Sequence, residues 1–420
     1  MRTIPKFLLT LLALSVATPV LAQSASAQRA ANECTSIEAP ADAARCDRAI
    51  AAETDAQRVQ ELRYSRAYAN NEREHYDEAL NDLNAILAAS PDDTHALHER
   101  AYTLNSIVRY REAEADLDRL VHLQADGATH YEERAFSRFY QANFEGVLAD
   151  RSMVVSLSRN NARAFVARAE AEMWLGRFDD ARRDLQAASA LLAQQKDEDV
   201  SQYADRVQRE LALWTTTSGN DAGRSCDMAR LQNNVPQGYI GDCTVVFLHA
   251  ATAAAKAEAL TNRAQAWALV LQEREGPFLT DFQIAVALDP DNWMWHANLG
   301  GLLVSMNHSW AARLECDRSI SLEGNDNWAA YACRGAANYN LGDFRAAFAD
   351  SRRSVEIRPN IVALMTLGDL ALNQLHDPNA ARSYWMGAYH LGVHDDGLVA
   401  RLRSVGVTDP EREEPSPTRP

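Results

Sequence analysis

Arg66-Ala67-Tyr68, Arg100-Ala101-Tyr102, Arg134-Ala135-Phe136 and Arg168-Ala169-Glu170 begin 34 residues apart each time. A second series, Tyr76, Tyr110, Phe144 and Phe178, keeps the same interval, with Ala79, Ala113, Val147 and Ala181 three positions further on. Self-similarity at this period marks stacked helix pairs, because a single pair leaves an apolar face that only a like neighbour can cover. The second aromatic series falls at the turn inside each pair and is predicted to be core. Such a stack grows without enlarging any one core, so 420 residues fit one architecture. It presents an extended surface more readily than a catalytic pocket.

Residues 1–22 read as a secretory signal peptide. Arg2 and Lys6 supply the positive start, Phe7 to Val16 the apolar run and Val20-Leu21-Ala22 a small-residue cleavage site; Ala25-Ser26-Ala27 is a second candidate. The run is too short to span a bilayer, no Cys follows either site, and no later stretch is long and apolar enough to cross. The expectation is an exported chain, periplasmic or secreted, without lipid attachment or membrane insertion. A net charge of −16 argues against nucleic acid and anionic membrane surfaces as partners.

Cys34, Cys46, Cys226, Cys243, Cys316 and Cys333 form an even set in an exported chain, which reads as disulfides. Six cysteines allow fifteen pairings. Pairing of nearest neighbours is expected, Cys34–Cys46, Cys226–Cys243 and Cys316–Cys333. The absence of any Cys-x-x-Cys spacing counts against zinc.

The chain resembles the tetratricopeptide repeat family over most of its mature length. That family has a small residue early in each helix of a 34-residue helix-turn-helix unit. Here the first is Ala67, Ala101, Ala135, Ala169, Ala264, Gly300 and Gly335, and the second Ala79, Ala113, Ala181, Ala312, Ala347 and Ala381. Pro91, Pro290 and Pro359 stand where a second helix should end. Eight repeats are marked: 60–93, 94–127, 128–161, 162–195, 257–292, 293–327, 328–361 and 362–395. The resemblance implies an all-α, right-handed α-solenoid of about eight such pairs in two lobes. Lobe one is 60–195 and lobe two 257–395. A capping segment with a Cys pair covers 34–59; a capping helix, linker and second Cys pair cover 196–256; a second capping helix covers 396–408; and 409–420 is expected to be a disordered tail. Proteolysis near Ser218 is expected to split the lobes.

Asp82, Asp116, Asp150, Asp184, Asp281 and Asp350 occupy one position of the second helix, in the same repeats that carry Arg66, Arg100, Arg134, Arg168, Arg263 and Arg334 in the first. Matched occurrence predicts Arg–carboxylate pairing between helices, which the planar guanidinium suits.

No phosphate loop, nucleophile elbow or His-Glu-x-x-His motif occurs, so no catalytic residue, no cofactor and no enzyme activity is expected. His95 with His98, and His390 with His394, are two-ligand sets only, and no metal is expected. The family resemblance implies a concave groove lined by first helices. Carried over, its partner-binding residues are Tyr64, Tyr68, His95, His98, Tyr102, Phe136, Phe139, Tyr140, Arg163 and Trp174, with Met173 beside them. The corresponding face of lobe two is blander. The functional expectation is a non-catalytic periplasmic scaffold or adaptor that holds a peptide or protein segment. The alternative is a self-assembling structural component of a cell-envelope complex, for which a homodimer is the simplest state.

Overall fold

The computed structural model describes Cys34, residues 43–217, Cys226, and residues 236–271 and 276–412. The signal-peptide reading and Ser218 lie outside the described residues. The chain divides into two compact units, Met1–Arg138 and Phe139–Pro420. The division falls inside the segment read as lobe one, and the expected inter-lobe segment 196–256 lies wholly within the second unit.

All regular structure among the described residues is helical. The first unit holds α1 (Ala43–Ala52), α2 (Ala56–Asn71), α3 (Tyr76–Ala89), α4 (Thr94–Ser106), α5 (Tyr110–Leu123) and all but the last residue of α6 (Ala128–Phe139). The second holds α7 (Phe144–Leu157), α8 (Ala162–Trp174), α9 (Phe178–Gln195), α10 (Glu198–Thr215), α11 (Pro236–His249), α12 (Ala253–Leu271) and α13 (Pro277–Leu288). It continues through α14 (Trp293–Ser305), α15 (Ser309–Glu323), α16 (Trp328–Asn340), α17 (Phe344–Ile357), α18 (Ile361–Asn373), α19 (Pro378–His390) and α20 (Asp396–Ser404). Of the expected tail, Pro410–Arg412 forms one 3-10 turn, and 413–420 lie outside the described residues.

Helices pair as consecutive hairpins: α2 with α3, α4 with α5, α8 with α9, α12 with α13, α14 with α15, α16 with α17 and α18 with α19. These are the helix pairs that the 34-residue period predicts. The repeated small residues explain their closeness. Ala67, Ala101, Ala169, Ala264, Ala79, Ala113, Ala181, Ala312, Ala347 and Ala381 are all buried, and a methyl at each lets two helix backbones approach. Asx residues start the first helices: Asp93 accepts from the Ala96 amide at 3.0 Å, Asn327 from Ala330 at 3.0 Å and Asn360 from Ala363 at 3.0 Å. Each satisfies an amide that the helix itself leaves open. Of the expected core aromatics at the intra-pair turn, Phe144 is buried, while Tyr76, Tyr110 and Phe178 are half-buried. Their position at the hairpin bend leaves one ring edge to solvent.

The arginine–aspartate series forms bidentate pairs. Arg66 meets Asp82 at 2.7 and 2.6 Å, Arg100 meets Asp116 at 2.7 and 2.6 Å, Arg168 meets Asp184 at 2.6 and 2.7 Å, and Arg334 meets Asp350 at 2.8 and 2.6 Å. The remaining guanidinium nitrogen reaches back to the preceding hairpin: Arg66 to Asp47, Arg100 to Asn84, and Arg334 to Asp317. One side chain thus ties its own second helix to the repeat before it.

α10 and α11 pack on each other, and α10 lies on α8 and α9 as a first helix lies on the repeat before it. The segment read as cap and linker therefore builds a further hairpin with a long insertion between its helices. Its core explains why the second unit continues through this point. Trp174 packs edge-on against Trp214 at 5.0 Å and against Phe247 at 5.7 Å. The fully buried Arg263 guanidinium sits 4.0 Å from the Trp214 ring centroid and 5.1 Å from that of Trp174. Asp281 receives it at 2.9 and 2.6 Å, and Thr244 at 2.9 Å.

The three disulfides are Cys34–Cys46, Cys226–Cys243 and Cys316–Cys333, as the nearest-neighbour reading expects. Cys46 lies in α1, Cys243 in α11, Cys316 in α15 and Cys333 in α16, so the last bond staples adjacent repeats. In the chain-entropy account a loop of this size contributes about 3 kcal/mol.

Candidate functional site: an exposed aromatic row on the first helices

In the first compact unit, α2, α4 and α6 each place an aromatic ring immediately after the buried alanine of the Arg-Ala-aromatic triplet. A helix turns about 100° per residue, so the residue beside a buried position faces outward. Tyr68 is 61% exposed, Tyr102 58% and Phe136 46%, whereas Ala67, Ala101 and Ala135 are buried. Tyr102 and Phe136 border a groove of about 390 Å³, completed by Ala101, Asn105, Ser106, Glu132 and Glu133. Phe136 also meets the Tyr110 ring edge-on at 6.3 Å, which holds one side of it.

The polar floor of this face is built from residues that the sequence reading passed over. Asn71 donates to the Thr103 hydroxyl at 2.9 Å, and the Ser137 hydroxyl donates to Asn105 at 2.9 Å. Asn71 and Asn105, like Thr103 and Ser137, stand 34 residues apart. That interval was the available signal. Each pair links one first helix to the next.

His98 is half-buried and bonds to Glu133 at 2.7 Å, with Glu99 at 3.6 Å. The Glu133 and Glu99 carboxylates, working against partial burial, push its pKa up to about 10, so it is an imidazolium at neutral pH. His95 is exposed and stacks edge-on with half-buried Tyr64 at 4.8 Å. Tyr64, Tyr68, His95, His98, Tyr102 and Phe136 thus share the first-helix face of one unit.

The other four expected groove residues lie in the second unit, and the structure places them differently. Phe139 and Trp174 are buried core residues, 5.5 Å apart edge-on, and Met173 is buried with them. Their rings fill the space between hairpins, which removes them from any ligand-facing role. Tyr140 is half-buried, and burial together with the Glu170 charge pushes its hydroxyl up to about 12. Arg163 is exposed and lies over the Tyr203 ring at 5.6 Å. Glu170, which takes the place of the ring in the triplet series, accepts from the Tyr203 hydroxyl at 3.0 Å and pairs with Arg151 at 3.2 Å. Where the triplet carries Glu170 instead of a ring, α10 supplies Tyr203 beside it.

Of the histidine pairs, His390 and His394 both pack against the Tyr389 ring, at 6.1 and 4.4 Å. Among the described residues no group of three or more His, Cys, Asp or Glu is arranged to hold a metal ion.

Hairpins of this length at this period resemble tetratricopeptide repeats. Several solved structures are similar to the chain. A tetratricopeptide repeat protein from Parabacteroides merdae is 12% identical, covering 82% of this chain and 98% of that one at a TM-score of 0.29. Yeast Tom70 is 14% identical, covering 74% and 80% at 0.28. The APC/C hetero-tetramer Cut9-Hcn1 is 12% identical, covering 87% and 67% at 0.35. None superposes closely, and the all-helical solenoid reading rests on the repeat period and the hairpin packing. No family model and no curated protein sequence matches the chain.

Proposed function

We propose that the chain is a non-catalytic protein-binding scaffold of an exported compartment, holding a peptide or protein segment against the first-helix face of repeats 1 to 3. The observation that carries this reading is the row Tyr68, Tyr102 and Phe136, three large rings left uncovered at a fixed interval beside buried alanines. Apolar area exposed in a regular row is recovered when a segment covers it, at about 25 cal/mol per Å². Aromatic side chains are also the residues on which binding energy concentrates. The three disulfides fit an oxidising compartment. No helix among the described residues is long and apolar enough to cross a membrane.

The test compares wild type with Tyr68→Ala, Tyr102→Ala, Phe136→Ala combined, after circular dichroism shows equal helicity. A partner crosslinked from the periplasm by wild type and lost by the triple variant supports the reading. Equal recovery by both moves binding off this row. Self-assembly has its own observation, since Val362, Leu375 and Leu391 near the C-terminal repeats are 47%, 61% and 46% exposed. It predicts light scattering that grows with concentration in the absence of any partner.

A further inference from the structure

We propose that the groove between Tyr102 and Phe136 selects an extended segment bearing a lysine or arginine side chain flanked by apolar residues. This rests on the scaffold reading and names the chemistry of its ligand. The groove combines two exposed rings with two carboxylates, Glu132 and Glu133, in one lining. An aromatic face attracts a cation through its quadrupole, and a nearby carboxylate adds direct Coulomb attraction.

The charges around the groove point the same way. Its neighbourhood holds three carboxylates, Glu99, Glu132 and Glu133, against one imidazolium, His98. His98 is already held by Glu133 at 2.7 Å and is unavailable to an anionic ligand. The arginines of the same helices point to other partners. Arg100 is engaged by Asp116 and Asn84, Arg134 by Asp118, and Arg138 by Glu114 and Asp118. An acidic segment would therefore meet a neighbourhood where carboxylates outnumber cations, while a basic one gains from both rings and that net negative charge. The aliphatic stem of lysine or arginine also covers ring surface while its head reaches the rim.

The experiment is selection from an unbiased random peptide library displayed on phage, run against the folded full chain. Glu132→Gln and the Tyr68→Ala, Tyr102→Ala, Phe136→Ala variant are run alongside. The expected result is enrichment of peptides rich in Lys or Arg beside apolar residues, with that enrichment lost on Glu132→Gln. For a selected peptide, replacing its basic residue by Gln weakens binding about tenfold, and added salt weakens the parent peptide most. Selected peptides without basic enrichment that still depend on the three rings overturn the cation preference and leave the groove standing. Peptides that bind the triple variant as well as wild type overturn both. Glu132 is exposed, so the Gln variant tests charge without disturbing the core.

Discussion

At the residue scale, the arginine forks separate exposed from buried electrostatics. Arg100 bonds Asp116 with two nitrogens and Asn84 with the third, yet a quarter of its side chain stays open to water. Arg100→Lys is expected to cost about 1 kcal/mol, since lysine cannot serve three acceptors and solvent screens the pair; urea denaturation reads the loss. Arg263 is a different case, with Asp281 equally buried beneath Trp174 and Trp214. Arg263→Met leaves that carboxylate uncompensated and should cost about 3–5 kcal/mol, and adding Asp281→Leu should restore much of it. A third residue, Val108, sits at φ 64° in the hairpin turn, a left-handed conformation that its branched side chain resists. Val108→Gly should raise stability by about 0.5–1 kcal/mol in a thermal melt. The Arg–Asp matching was legible because five of the six pairs keep a spacing of 16 residues and both partners vanish together. The third ligand was not, because Asp47, Asn84, Thr244 and Asp317 are of three residue types and lie 19, 16, 19 and 17 residues before their arginines. The left-handed turn was hidden for a related reason: Glu74, Val108, Ala142 and Asn307 hold the place where Gly176 and Gly342 show the expected residue.

At the scale of elements, close approach and burial set the vulnerable points. A Cβ on Gly300 would lie 2.6 and 2.7 Å from the sulfurs of Cys316 and Cys333. Gly300→Ala is therefore expected to push α14 away from α15 and α16, lowering stability by about 1–3 kcal/mol in urea titration. At the start of α14, buried His296 meets Glu315 at 2.7 Å through one ring nitrogen and the Pro290 carbonyl at 2.9 Å through the other. Oxygen acceptors at both ring nitrogens favour the doubly protonated ring. Burial pulls its pKa down, but Glu315 and the Pro290 carbonyl outweigh burial and the opposing Arg318 charge, and the pKa rises above the usual value. A raised folded-state pKa contributes stability fully below the unfolded value of about 6.5, and that stability is lost as pH climbs through the folded value. Urea midpoints should fall on the alkaline side for wild type and fall less for His296→Gln. The hairpins with strict spacing were readable as elements, since alanine marks each close contact. The α10–α11 hairpin was not, because the residues between Thr215 and Pro236 break the period and look like a linker.

At the scale of the whole molecule, two blocks of repeats were legible and their separation was not. Cys46 stands 20 residues before Arg66 and Cys243 20 before Arg263, so a Cys pair and a repeat series recur together, which reads as duplication. Trp174, Trp214, Phe247 and Arg263, scattered over the intervening sequence, carry no periodic signal of the core they form. A protease site introduced at Ser218 should therefore yield fragments that co-elute on size exclusion until denaturant is added; separation in native buffer would show that this core does not hold the blocks together. The candidate site was half legible for the same reason. The exposed ring of each triplet follows from its place beside a buried alanine, whereas Phe139 and Trp174 lie where packing from α7 and α11 decides their fate. The forks of Arg66, Arg100, Arg263 and Arg334 also have a direction: each takes its partners from its own hairpin and from the one before, never from the one after. A polypeptide delivered from its N-terminus can therefore complete every fork as soon as the local hairpin arrives. Loss of repeats from the C-terminal end leaves the remaining forks whole, while trimming from the N-terminal end strips the next arginine of its upstream acceptor. The polarity of synthesis is thus written into the side chains that hold the stack together.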